Sequence, residues 1–195
     1  MAAKAQADKA HKPKKPHTPV KTAANIPGDV VDAWKQTHKQ PELWMSQEDI
    51  DNLLRTGKVL YITHLTKEGW PMVTPMFYCM LGDDIYTTTV KGRTKEIAYR
   101  RDSRMSAAVS REDLTLANEQ ALTIKARAEI LEDRNMVAKV CRGYVNKYWS
   151  EFSAVDQEAY FRTLYTTDRV AIRIVPEKII SWDVGKMQRK QQKEC

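Results

Sequence analysis

From Lys58 to Val90 the chain carries three runs of strand-forming residues with almost nothing between them. Lys58 to Thr66 is rich in Val, Leu, Tyr, Ile and Thr, and Lys67-Glu68-Gly69 is a turn. Trp70 to Met80 follows, and Leu81-Gly82-Asp83 turns into Asp84 to Val90. Connections this short demand antiparallel neighbours, because a parallel pair needs a long crossover. Pro71 and Pro75 mark the middle run as an edge or bulged strand, since proline donates nothing to a ladder.

The remaining pattern fits around this meander. Pro27-Gly28-Asp29 opens a short helical stretch, and Ser46-Gln47-Glu48-Asp49 is a capping box before Ile50, Leu53 and Leu54, with Gly57 as the stop. Thr94 to Arg101 reads as a short helix, and Arg104 to Ser110 and Leu122 to Leu131 as strands. Met136 to Trp149 places Val137, Val140, Cys141, Tyr144 and Tyr148 on one face, an amphipathic helix. Ala154 to Leu164 is a further helix, and Arg169 to Val175 and Lys178 to Trp182 are two closing strands. Six or seven strands with few helices predict a mainly β antiparallel barrel, with an open sheet under helices as the alternative.

The net charge of +7 invites a nucleic-acid reading until it is located. Six lysines against Asp8 give residues 1–21 a charge of +5, and residues 186–195 carry +3, which leaves the middle at −1. A nucleic-acid domain wears its charge on the folded body. The expected organisation is a Lys/Pro/Ala-rich disordered arm over 1–26, one domain over 27–185 and a basic tail over 186–195. Nucleic-acid contact is then restricted to weak binding through the arm. No run approaches a membrane span, and Met1 to Val20 lacks the apolar core of a secretory signal. Three widely spaced cysteines are not a disulfide framework, so a cytoplasmic setting is expected.

Side chains for autonomous catalysis are scarce. There is no Gly-x-Ser-x-Gly, no Cys-x-x-Cys or His-x-x-x-His pair for a metal, and no glycine-rich phosphate loop. His64 lies in an apolar strand and reads as a satisfied barrel or interface residue rather than a base. An enzyme of this kind would borrow its chemistry from a cofactor. One segment could hold one. Thr87, Thr88 and Thr89 end a strand, and Lys91, Arg93 and Lys95 flank the start of a helix, which together are the groups a phosphate needs.

With its neighbours, that segment is similar to a known pattern. Gly69-Trp70-Pro71-Met72-Val73-Thr74-Pro75 resembles the G-x-P-x-x-x-P strand of the pyridoxamine 5′-phosphate oxidase-like split-barrel superfamily. Ile85 to Thr89 followed by Gly92 to Met105, with its Arg100-Arg101-Asp102, resembles that superfamily's phosphate-binding strand and helix. Thr167 to Trp182 is similar to its closing strands. The resemblance covers roughly 44–185 and implies a six-stranded antiparallel split β-barrel with flanking helices. It further implies a homodimer with cofactor sites at the subunit interface.

The implied cofactor is FMN or the deazaflavin coenzyme F-420. By resemblance, Arg93 and Lys95 hold its phosphate with help from Thr88 and Thr89, and Val73, Thr74, Pro75 and Met76 lie against the ring. Lys91 is a possible addition at the phosphate, and Trp182 a possible wall near the interface. No catalytic residue stands out, although Tyr78 or Tyr86 could give a proton. The arginine- and lysine-bearing strand of the oxidase of vitamin B6 metabolism has no counterpart here, because no Arg or Lys falls between Gly69 and Val90. The expectation is a flavin- or deazaflavin-dependent oxidoreductase acting on a small organic substrate. A non-catalytic carrier or sensor of the same fold is the alternative.

Overall fold

The computed structural model describes residues 44–111 and 119–186. The basic arm, the helical stretch at 27–34 and all but the first residue of the basic tail lie outside the described residues. The elements in chain order are α1 (Gln47–Thr56), β1 (Leu60–Leu65), β2 (Pro71–Met76), β3 (Cys79–Leu81), β4 (Asp84–Val90) and α2 (Thr94–Arg101). They continue as β5 (Arg104–Ser110), β6 (Gln120–Leu131), α3 (Arg134–Tyr148), α4 (Ala154–Leu164) and β7 (Arg169–Asp183).

α1 begins as its capping box dictates. The Ser46 hydroxyl accepts the Asp49 N–H at 3.1 Å, and the Asp49 carboxylate accepts the Ser46 N–H at 3.4 Å. Gly57 ends it for a steric reason, because a Cβ there would lie 2.7 Å from Val109 Cγ2 and 2.9 Å from the Tyr78 hydroxyl. Only glycine lets the three elements meet this closely.

All seven strands form one antiparallel sheet in the order β2-β1-β5-β6-β7-β4-β3. The resemblance implies six strands and the sheet has seven; two local effects, one splitting a run and one joining two, redraw the limits of the runs read from the sequence. The run from Trp70 to Met80 is not continuous. The Tyr148 hydroxyl accepts the Tyr78 N–H at 3.0 Å, and the Thr87 hydroxyl donates to the Phe77 carbonyl at 2.9 Å. With side chains holding Phe77 and Tyr78, the ladder breaks between β2 and β3. The second effect runs the other way. Arg169 to Asp183 is one strand, not two, because Pro176 and Glu177 are absorbed as a bulge. Lys125 pairs with Lys178 and Ala126 with Pro176, which leaves Glu177 without a partner on β6.

β2 and β3 stand at opposite ends of the strand order, yet only Phe77 and Tyr78 separate them in the chain. Two residues reach about 10 Å, so the sheet must curl until its edges meet, giving a half-barrel. Its inner face holds Leu60, Ile62, Ile85, Val109, Leu122, Ile124, Ile172 and Ile174, closed at one side by Leu53 and Leu54 of α1. On the outer face Tyr86 and Ala171 pack under Val137, Val140, Cys141 and Tyr144 of α3. Alternation along β4 and β7 thus serves two cores. Among the described residues no helix is long and apolar enough to cross a membrane.

Candidate functional site

β4 ends on three threonines whose side chains alternate between the two faces. Thr87 is structural. Its hydroxyl donates to the Phe77 carbonyl and lies 3.0 Å from the Tyr144 hydroxyl. Thr88 pairs with Ala171 and shares the α3 side of the sheet with it; the residue is 4% exposed and its hydroxyl has no partner among the described residues. A buried hydroxyl without a hydrogen bond costs roughly 1–3 kcal/mol. Thr89, opposite Val170, is buried on the other face. The two hydroxyls therefore diverge, although both flank the same turn.

That turn is tight and points a helix end outward. Gly92 adopts φ 78°, the left-handed region open to glycine, and the Arg93 N–H returns to the Val90 carbonyl at 3.2 Å. Arg93 is the N-cap of α2, with extended backbone and no side-chain cap bond. The N–H groups of Thr94, Lys95 and Glu96 consequently lack intrahelical acceptors. Glu96 does not cap them. Its buried carboxylate turns back to the Gly92 N–H at 3.1 Å and takes the Arg100 guanidinium, which holds its pKa below the ordinary carboxylate value.

The cations divide into committed and uncommitted ones. Lys91 pairs with Glu132, and Arg100 bridges Glu96 and Glu132. Arg93 and Lys95 have no ion-pair partner among the described residues. Burial, and then the charge of Arg93, pull the half-buried Lys95 ammonium below its usual pKa. Two cations without ion-pair partners beside an open helix N-terminus make a favourable place for an anion.

One residue of this neighbourhood differs from its expected setting. His64, on the inner face of β1, is 5% exposed, and its Nδ1 has no hydrogen-bond partner among the described residues. Burial lowers its pKa first, followed by the charges of Lys95 and Arg101. Tyr99 of α2 meets the imidazole edge-on at 6.2 Å and 74°, and its hydroxyl donates to the Thr63 carbonyl at 2.9 Å. The Arg101 guanidinium donates to the Leu65 carbonyl. α2 thus spans from the end of β4 to the end of β1. His64 is a barrel residue, as expected, but within the described residues its Nδ1 is not satisfied. An isolated histidine in an apolar strand gives no sign of which helix will cover it.

The β2 residues occupy the sheet edge. Thr74 and Met76 lie opposite Ile62 and Leu60 and face inward, whereas Val73 and Pro75 lie opposite Thr63 and Tyr61 and face out. Val73 is 60% exposed and neighbouring Trp70 59%. Trp182 pairs with Ala121 eleven residues along β7 from Ala171, the partner of Thr88. That is about 35 Å at strand rise, so one chain does not bring Trp182 to the turn. Nor are the two candidate proton donors there. Tyr78 is fully buried with its hydroxyl 3.5 Å from the Leu53 carbonyl, and the Tyr86 hydroxyl donates to Asp84 at 3.4 Å.

Comparison with known proteins gives the family. The family model described as pyridoxamine 5′-phosphate oxidase matches residues 46–179, which include every strand but the last few residues of β7, as well as the cationic turn. The chain belongs to the pyridoxamine 5′-phosphate oxidase family. No curated protein matches it in sequence. Solved structures of the same split-barrel fold include a conserved hypothetical protein from Mycobacterium tuberculosis, with 22% identity and a TM-score of 0.69 over 76% of this chain and 91% of that one. A putative pyridoxamine 5′-phosphate oxidase from Listeria innocua shares 22% identity, with a TM-score of 0.52 over 71% and 97% of the two chains. An FAD-binding protein from Mesorhizobium loti shares 18%, with a TM-score of 0.52 over 71% and 95%. At these identities the likeness is one of fold. Within the oxidase family fold, the uncommitted cations of this chain fall on the turn between β4 and α2.

Proposed function

We propose that this chain is a flavin- or deazaflavin-dependent oxidoreductase that binds FMN or coenzyme F-420. The observation that carries the reading is the pair Arg93 and Lys95, without ion-pair partners among the described residues, at an uncapped helix start that follows the strand bearing the buried, unpartnered Thr88 hydroxyl. Family membership and the FAD-binding relative support the same class of ligand.

In this reading the Arg93 guanidinium and Lys95 ammonium neutralise the cofactor phosphate, and the first-turn N–H groups of α2 donate to it. Thr88 or Thr89 adds a hydroxyl. Glu96 keeps the turn in shape through Gly92, and Arg100 offsets its charge so that the anion is not repelled. Val73, Thr74, Pro75 and Met76 offer an apolar edge to the ring, and Trp70 and Val73 exclude water from it. When bound, the cofactor supplies the hydride donor or acceptor. The protein contributes position and a dry surface.

The exposed apolar edge of β2 favours a homodimer in which a second copy covers it, and Trp182 would then reach a site from the partner chain. Oxidation of pyridoxamine phosphate itself is disfavoured, since β2 and its flanks from Gly69 to Val90 contain no cation for a substrate phosphate. The engagement of the Tyr78 and Tyr86 hydroxyls elsewhere favours a second reading, a carrier or sensor that binds the cofactor without turnover.

Equilibrium binding of FMN and of coenzyme F-420 to the purified protein tests the proposal. Tight binding of one, lost in Arg93→Ala and Lys95→Ala, is expected. Equal affinity in the wild type and both variants would refute the phosphate site.

A further inference from the structure

We propose that His64 is a ligand-binding residue whose buried Nδ1–H donates to an anionic oxygen held by Lys95, and that the imidazole takes one proton from solvent as the anion binds. The inference rests on the cofactor-phosphate reading above but names a residue that reading does not use.

The geometry comes first. A side chain only 5% exposed normally has its polar atoms paired, and the His64 Nδ1 does not. None of the elements around the ring supplies a partner for Nδ1 among the described residues. On β1, Leu60 and Ile62 share its face. On β2, Met72 stands directly opposite, and Pro71 to Met76 contain no titratable side chain. On β5, Met105 to Ala108 contain none either. On α2 the groups that face it are the Tyr99 ring edge, the Lys95 ammonium and the Arg101 guanidinium.

The charge around His64 is thus positive, with no carboxylate among the groups acting on it. Burial, and then the two neighbouring cations, favour the neutral form of the free imidazole. An anion seated against Lys95 reverses the local field, so the cationic form becomes the favoured one. The sign is fixed by linkage. Because the bound pKa exceeds the free one, affinity for the anion rises as pH falls through the bound pKa, and above that pKa His64 contributes only its neutral hydrogen bond. Each unit of difference makes binding about tenfold tighter at low pH.

The test follows the His64 imidazole resonances by NMR as a function of pH, with the His64→Asn variant identifying them among the four histidines. Without ligand the pKa is expected below 6.5, and with FMN it is expected to rise by about one unit or more. Riboflavin, which has the ring but no phosphate, should leave it unmoved. In parallel, His64→Asn, which keeps a donor near the Nδ1 position, should bind FMN within about threefold of wild type at pH 8 and lose the extra tightening at pH 5.5. His64→Val should weaken FMN at both pH values by about fivefold or more.

FMN binding that leaves the His64 pKa unchanged, or a His64→Val protein of equal affinity, overturns the proposal while the cofactor reading stands. A wild-type protein that binds neither FMN nor coenzyme F-420 overturns the cofactor reading. Sulfate, fully ionised across this range, then decides the His64 proposal. A rise in the His64 pKa with sulfate supports it, and no rise overturns it.

Discussion

The Tyr148 hydroxyl accepts the backbone N–H of Tyr78 at 3.0 Å and lies 2.8 Å from the Tyr78 carbonyl, closing both polar groups of a residue that belongs to no strand. The same hydroxyl is 2.8 Å from the Lys58 carbonyl. One oxygen on α3 therefore stands in for the ladder that β2 and β3 do not continue.

Tyr148→Phe removes that oxygen and little volume. The expected loss is about 2 kcal/mol, because buried backbone groups are left unpaired. Urea denaturation should show a lower midpoint with an unchanged slope. A midpoint equal to wild type would mean that water replaces the hydroxyl.

Thr88→Val should move stability and binding in opposite directions. Removing a buried hydroxyl that has no partner is expected to stabilise the ligand-free chain by about 1 kcal/mol. If Thr88 belongs to the phosphate site, FMN affinity falls at the same time. Thermal melts with and without FMN read both effects on one sample, and a variant stabilised by ligand as strongly as wild type would remove Thr88 from the site.

The three cations of the turn should not be equivalent. Lys91 is committed to Glu132, so Lys91→Ala is expected to change cofactor affinity by no more than about twofold. Arg93→Ala and Lys95→Ala each delete a charge without a counter-ion, and a loss of about 10- to 100-fold is expected, the size of a charge-assisted hydrogen bond. Added salt should weaken wild-type binding more than that of either variant. A Lys91→Ala defect as large as the other two would show that the Glu132 pair breaks on binding.

Lys147 supplies a pH signature. Its Nζ lies 3.5 Å from the centre of the Tyr78 ring without a hydrogen bond to any described residue, and burial pulls its pKa down to about 8. The unfolded chain then binds more protons than the folded one between about pH 8 and 10.5, so stability rises with pH across that window. Lys147→Met should abolish this rise and stabilise the protein at pH 7 by about 1–2 kcal/mol. Urea midpoints of both proteins at pH 7 and pH 10 check it, and parallel pH profiles would refute it.

The sequence was informative where local chemistry decides structure. The Ser46 capping box, the run from Asp84 to Val90, α2 at Thr94 to Arg101, β5 and α4 appear where periodicity and turn residues put them. It failed where distant side chains decide. Nothing between Trp70 and Met80 announces that Tyr144 and Tyr148, some seventy residues on, will occupy the backbone at Phe77 and Tyr78. Pro176 reads as a break until a partner strand long enough to accept a bulge is beside it. At the candidate site the residue types were legible and their commitments were not. Lys91 looks like Arg93 and Lys95 until Glu132 arrives from the far end of β6, and His64 looks inert until α2 covers it.

The unpaired Glu177 has a consequence for how the chain can change length. Side chains on β7 alternate faces in one phase before the bulge, where Ile172 and Ile174 are buried, and in the other phase after it, where Ser181 and Asp183 are. Loss of Glu177 removes the bulge and leaves Lys178 to Asp183 opposite their present β6 partners and on their present faces. The same change among Val170 to Ile174 would turn the barrel core out to solvent. Within this strand, length is negotiable at one position, and the two halves on either side of it are free to drift apart in sequence without losing their common partner.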